Sequence, residues 1–281
     1  MIASVSKTNE LLNKYNLKAK KRLGQNFLID GNIVRRIVEK AEIDKNTGVI
    51  EIGPGLGSMT EALVQNAGKV LAFEIDPDMI EILSKELKDY ANLKIINKDI
   101  LKSDIDSELD YFEGMGRIIV VSNLPYYITT PIVTKLLEVN KISLICVMVQ
   151  KEVAVRFCAK PNSRDYGSLT VMINLKTDVE TAFDVSRNSF MPRPNVDSAI
   201  LLMKVKKNDS RVKNEAKFLN FIKNSFAMKR KTFVNNILSF YSIDRMKIAD
   251  VLKELLLEEN IRSECINLDN FIKIYDKLFE E

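Results

Sequence analysis

The chain contains no histidine and no tryptophan. Without histidine, Ser-His-Asp and Cys-His catalysis, His-ligated zinc and a histidine acid–base are all excluded. Chemistry must then run on carboxylates, amides, backbone groups or a cofactor, and no metal site is expected. Cysteine is scarce as well: Cys146, Cys158 and Cys265 form no CxxC pair and cannot all pair with one another. Such usage suits a reducing, cytoplasmic setting. Long apolar runs are missing. The longest in any candidate strand is Leu144–Val149, far short of the roughly 20 residues that span a bilayer. The first fourteen residues are polar and lack the apolar centre of a signal peptide, so no membrane partner is expected.

What is present is ordinary for a globular protein: 281 residues, 46% hydrophobic and 28% charged, with a net charge of +4. That length favours one large domain with a smaller one. Residues 1–22 are polar and then basic, ending in Lys18, Lys20, Lys21 and Arg22. Ile33-Val34 and Ile37-Val38 follow at helical spacing. Short apolar runs then read as buried strands: Val49–Ile52, Val70–Ile75, Leu93–Ile96, Ile118–Val121, Leu144–Val149 and Leu169–Leu175. Helix-length segments lie between the earlier ones, at Ser58–Gln65, Pro77–Asp89 and Thr130–Val139. Strands alternating with helices predict an α/β fold with a mostly parallel sheet. The successive strands Thr177–Val185 and Ser198–Val205 predict an antiparallel edge. Beyond about residue 206 the pattern is all helical, and the charge separates. Ten basic and two acidic residues lie between Lys204 and Lys231, whereas nine acidic residues face six basic ones from Arg245 onward. The expected domains are therefore 1–206 and 207–281. The basic run reads either as a solvated helix face or as a contact surface for nucleic-acid phosphates.

The chemistry should sit where strands end. Val49–Ile52 runs into Gly53-Pro-Gly55-Leu-Gly57 and then a helix, a turn whose glycines let backbone N–H groups approach a ligand. Its other reading is a bare structural turn. The next strand ends in Glu74, seventeen residues after Gly57 and placed to accept hydrogen bonds from ribose hydroxyls. The glycine spacing is GxGxG rather than the dinucleotide GxGxxG, which points to S-adenosylmethionine instead of a dinucleotide. Asp99, at the end of the third strand, could accept from an adenine amino group with Ile100 flanking the ring, or could simply cap a turn. The fourth strand ends in Asn123-Leu124-Pro125-Tyr126. There the Asn123 side-chain oxygen and the Leu124 carbonyl can each accept from an exocyclic amine and aim its lone pair at a methyl donor. Pro125 fixes the turn and offers no competing N–H. Tyr126 offers a ring on which a flipped adenine can stack.

At this point the sequence resembles the ribosomal RNA adenine N6-dimethyltransferase family, most closely its small-subunit branch. The resemblance is carried by residues 22–28, the Glu51-Ile-Gly-Pro-Gly55 loop and Asn123–Tyr126. It continues through residues 149–153, 161–167 and 190–198. It implies a Rossmann-like class I methyltransferase fold using S-adenosyl-L-methionine. Its cofactor site falls on Asn26, Leu28, Gly53, Gly55, Glu74, Asp99, Ile100 and Asn123. Phe190 matches a family aromatic that sandwiches the target base against Tyr126; its other reading is a core phenylalanine. Tyr127 stays unassigned. The implied partner is the small ribosomal subunit and its rRNA, met by a monomer, with Lys20, Lys21, Arg22, Lys223, Lys229, Arg230 and Lys231 as candidate RNA contacts. Two other readings stay open: a large-subunit rRNA adenine methyltransferase of the antibiotic-resistance type, and a non-catalytic ribosome-assembly factor on the same fold.

Overall fold

The computed structural model describes residues 1–206 and 211–280, without the side chain of Lys21. Among the described residues nine strands form: β1 (Phe27–Leu28), β2 (Thr47–Ile52), β3 (Lys69–Glu74), β4 (Leu93–Asn97), β5 (Arg117–Asn123), β6 (Ile142–Gln150), β7 (Thr177–Val185), β8 (Phe190–Met191) and β9 (Ser198–Val205). Seven make one sheet in the order β4-β3-β2-β5-β6-β9-β7. Pairings from β4 through β6 are parallel, and β9 runs antiparallel to β6. The connections run outward from β2 to β3 and β4, then return to β5 on the other side of β2. Such a switch leaves a crevice at the strands' C-terminal ends, where α/β sheets bind ligands. The apolar runs explain the arrangement, because a strand covered on both faces has no use for alternation: β2 is buried at every residue.

Two helices confirm their sequence periods by burying one face. Gly31–Lys40, capped by the Asp30 side chain, packs Ile33, Val34 and Ile37 into a core with Val49, Val70 and Ile119. Pro77–Glu86 opens on Asp76 as N-cap with proline at its first position, a start that suits the missing proline N–H. Residues 5–14, read only as part of a polar arm, form a helix capped by Ser4. Ile2 and Leu11 belong to the same core cluster as Phe27, Leu56 and Leu83.

One segment departs from expectation. Leu169–Leu175, read as a strand, lies inside the helix Ser168–Lys176. A short run rich in β-branched residues cannot by itself distinguish a strand from a helix buried on several sides. Here Thr170, Val171, Ile173 and Leu175 are buried. The Gly167 N–H donates to the Thr170 hydroxyl at 3.2 Å, opening the helix. By Cα packing this segment belongs with the helical part: one compact unit is Met1–Ala154 with Glu180–Val205, the other Val155–Val179 with Lys206–Glu281. The boundary expected at 206/207 falls against residues 207–210, outside the described residues.

The helical unit is built on aromatics. Four helices, Glu215–Ser225, Phe233–Leu238, Arg245–Glu254 and Leu268–Phe279, open on Asn214, Thr232, Asp244 and Asn267. Each cap's side chain accepts a backbone N–H of the first turn. Phe221 stands at the centre, edge-on to Phe233, Phe271 and Phe279 with ring centroids 6.1, 6.3 and 5.7 Å away. Phe221→Ala should lower unfolding stability by roughly 3–5 kcal/mol, the usual loss for a phenylalanine removed from a core. Urea denaturation followed by far-UV circular dichroism checks this; an unchanged midpoint would contradict the packing described.

Candidate active site

A cavity of about 220 Å³ opens where the order of strands switches. Its walls come from the arm (Leu23–Leu28), the glycine turn after β2, the end of β3, Lys98–Leu101 and the turn after β5. Asn26, Leu28, Gly53, Gly55, Glu74, Asp99, Ile100 and Asn123, scattered over nearly a hundred positions, all line it. So do Leu124, Pro125 and Tyr126.

Glu74 anchors one wall. Its carboxylate is nearly buried and accepts the N–H groups of Ile75 and Asp76, both at 2.8 Å, and that of Gly55 at 3.2 Å. Burial raises its pKa above the ordinary glutamate value, while these backbone hydrogen bonds pull the other way. Gly55 can reach Glu74 because the loop turns through a left-handed conformation (φ +57°). A Cβ there would stand 3.3 Å from the Phe27 ring of the arm. Gly57 is tighter still: φ is +90°, and a Cβ would meet Leu83 at 2.8 Å.

The facing wall is the turn after β5. The Asn123 side-chain Nδ2 donates to the Asn26 carbonyl at 3.3 Å, so its Oδ1 is the atom left to accept. The Leu124 N–H is taken by the Met148 carbonyl at 3.1 Å. The Tyr126 hydroxyl pairs with Ser198 Oγ at 2.6 Å, which fixes the ring. Burial raises the phenol pKa, with the Ser198 hydrogen bond opposing, so the ring stays neutral. Asp99 does two jobs: Oδ1 accepts the Leu101 N–H at 2.9 Å while the residue lines the cavity beside buried Ile100.

Several residues fall elsewhere. Phe190 is 3% exposed and is absent from the cavity wall. It pairs with Leu28 through β1 and β8 and shares a core with Val34 and Met148, which is its core reading. A ring with no polar atom gains more from that burial than from solvent. Lys20, expected on RNA, is ion-paired to Asp76 and Asp78. Arg22 is exposed, and the Lys21 side chain lies outside the described residues. Lys223, Lys229, Arg230 and Lys231 are exposed. The 228–232 turn is pinned from inside by Asn236, whose Oδ1 accepts the Met228 N–H at 2.8 Å and whose Nδ2 donates to the Met228 and Thr232 carbonyls.

The sequence assigns no role to Glu51, Ser58 or Tyr127, all of them in the cavity wall. Tyr127 is 61% exposed and rests against Gly24. Glu51 and Ser58 are buried, and Glu51 Oε2 and Ser58 Oγ have no protein partner. Burial pushes the Glu51 carboxyl up to about 8; the Thr60 hydroxyl opposes this and the neighbouring Glu74 adds to it. Orphaned buried polar atoms call for a ligand or water. A hydroxyl and a carboxyl beside the glycine turn, with Glu74 and Asp99 further along, suit a ligand that carries an amino-acid end, a ribose and a base. S-adenosylmethionine is such a ligand. Glu51 was legible only in hindsight, since a strand-buried carboxylate has no local signature.

The sequence profile of the family "Ribosomal RNA adenine dimethylase" matches residues 16–274. The chain is 43% identical to ribosomal RNA small subunit methyltransferase A of Bacillus licheniformis, covering 99% of this chain and 98% of that protein. The Geobacillus sp. protein of the same name is 45% identical over 99% and 97%. Among solved structures, a dimethyladenosine transferase from Plasmodium falciparum superposes with a TM-score of 0.74 at 28% identity, over 88% of this chain and 96% of that one. The 23S rRNA methyltransferase ErmE gives 0.68 at 26%, over 90% and 99%.

The Glu51 environment yields a pH test. A carboxyl whose folded pKa is about 8 keeps its proton while the unfolded chain has released it near pH 4.5. Its stabilising contribution is therefore full in acid and falls with rising pH by up to about 1.4 kcal/mol per pH unit. The fall ends above about pH 8. Glu51→Gln should flatten the stability profile of the ligand-free protein between these limits, read by urea denaturation at a series of pH values. Parallel profiles would mean that Glu51 ionises as it does in water.

Proposed function

The chain belongs to the ribosomal RNA adenine dimethylase family, and from that premise we propose that it dimethylates N6 of two adjacent adenines in the 3′-terminal hairpin loop of small-subunit rRNA during small-subunit biogenesis. The methyl donor is S-adenosyl-L-methionine, which supplies an electrophilic methyl when bound. The observation that carries the reading is the Asn123–Tyr126 turn standing opposite the glycine turn and Glu74 across one cavity.

An adenine amino nitrogen is a poor nucleophile because its lone pair is delocalised into the ring. With the Asn123 amide donor committed to Asn26, Oδ1 accepts one amino hydrogen and the Leu124 carbonyl accepts the other. Both acceptors draw the nitrogen towards a tetrahedral shape, with its lone pair aimed across the cavity. The Tyr126 ring, held by Ser198, carries the base by stacking. The nitrogen loses a proton after transfer, so no histidine is required. A singly methylated amine keeps only one hydrogen, and the second transfer therefore proceeds with one of the two acceptors unoccupied. Phe190 contributes through β1–β8, which seats Leu28 at the cavity wall; a role against the base would require it to leave the core.

The small-subunit assignment is favoured over the resistance-type one by identities of 43% and 45% along whole chains, against 26% for ErmE. A purely non-catalytic role is disfavoured by the complete set of acceptors around the cavity. RNA affinity would come from Lys223, Lys229, Arg230 and Lys231, with Lys21 and Arg22 in the arm.

Asn123→Ala should abolish methyl transfer to unmethylated small subunits while leaving subunit affinity within a few-fold, measured by labelled transfer beside filter binding. Equal losses in both would contradict its assigned role. Replacing Lys229, Arg230 or Lys231 by alanine should lower the slope of log affinity against log salt by roughly one unit each. Binding insensitive to salt would remove these residues from the interface.

A further inference from the structure

Lys20 has an unusual set of partners for a lysine in a basic arm. Its ammonium lies 2.6 Å from Asp76 Oδ1 and 2.5 Å from Asp78 Oδ2. Gln25 reinforces the contact: its Nε2 donates to Asp76 Oδ2 at 2.8 Å, and its Oε1 accepts the Lys20 backbone N–H at 2.8 Å. Asp76 is 2% exposed, and both of its carboxylate oxygens are gripped from the arm. Its backbone N–H meanwhile donates to Glu74. A single residue thus holds Glu74 on one side and the arm on the other. Those are two walls of the same cavity, since Leu23–Leu28 line it from the arm.

Resting on the function proposed above, we propose that Lys20 is a positioning residue for cofactor binding, fastening the Leu23–Leu28 strap across the cavity through Asp76 and Gln25. Its charge serves that latch rather than RNA phosphate. Burial alone would raise the Asp76 carboxyl, but the hydrogen bonds from Lys20, Gln25 and the Asp78 backbone N–H together outweigh it and keep the group below its ordinary value, so the latch is ionised at neutral pH. Removing the ammonium leaves a buried carboxylate without its only cationic partner, held by Gln25 and the Asp78 backbone N–H alone. The strap then depends on Gln25, on the pairing of β1 with β8, and on the Asn123 side chain, which reaches the Asn26 carbonyl at 3.3 Å. Leu23 to Asn26 would be held less firmly at the cavity wall, while Phe27 and Leu28 stay paired to β8.

The test is calorimetric titration of S-adenosyl-L-methionine and S-adenosyl-L-homocysteine into the wild-type chain, Lys20→Ala, Lys20→Arg and Asp78→Asn, beside the salt dependence of small-subunit binding. Lys20→Ala should weaken both ligands about tenfold, as loss of a charge-assisted hydrogen bond does. The KM for the methyl donor should rise with it, while kcat changes less and the salt slope stays as in the wild type. Lys20→Arg should restore most of the affinity. Asp78→Asn should weaken binding in the same direction by a smaller factor, and it tests the latch even where Lys20→Ala folds poorly. A Lys20→Ala protein with wild-type cofactor affinity and a reduced salt slope would overturn the latch and return Lys20 to the RNA interface. Gain of subunit affinity in Asp78→Asn without loss of cofactor affinity would overturn it equally. A wild-type chain that binds neither ligand would instead overturn the functional reading on which the latch rests.

Discussion

A carboxylate withdrawn from water must find replacement hydrogen bonds, and Glu74 finds them on the main chain. Gly55, Ile75 and Asp76 each present an N–H to it. The Gly55 donor exists only because the loop turns left-handed there, the Ile75 donor because β3 ends there, and the Asp76 donor because the next helix begins there. One buried group thereby ties the glycine turn, the strand end and the helix start into a single rigid corner. The arm is placed with respect to that corner through Asp76, and it meets the Asn123 turn through Asn26.

The facing wall is held by different means. Leu124 continues the pairing of β5 with β6 through Met148, and Tyr126 is tethered to Ser198 at the start of the antiparallel strand β9. The antiparallel edge thus carries the hydroxyl that orients the Tyr126 ring at the cavity wall. Ser122 adds a cross-link at the switch point, its hydroxyl donating to the Ile52 carbonyl at 2.5 Å. In the proposed reaction, acceptors held this way need no reorganisation as charge develops on the amine.

Charge is sorted by the same economy. In the arm, Lys20 is consumed by two aspartates, whereas Lys229, Arg230 and Lys231 project from a turn whose backbone is satisfied internally by Asn236. A cluster of basic residues in a sequence is thus two different things in the folded chain: an internal fastener in one place and an exposed cationic surface in the other.

Much of this was legible in the residues. The strand runs, the helical spacing at Ile33–Val38, the Pro77 segment, the glycine turn and the Asn123–Tyr126 turn are local features. Backbone conformation, capping and the loss of an N–H at proline are set by a residue and its immediate neighbours, so the sequence by itself determined the sheet and the two turns that face each other across it. The helix at Ser168–Lys176, the burial of Phe190 and the partners of Lys20 were decided only by the tertiary structure. So were the orphaned Glu51 and the membership of Val155–Val179 in the helical unit. Each depends on which surface covers a residue, and that surface comes from distant chain: Lys20 meets Asp76 across 56 positions, and Asn123 meets Asn26 across 97. Hydrophobic period and charge are properties of a segment, whereas burial and pairing belong to the packed chain.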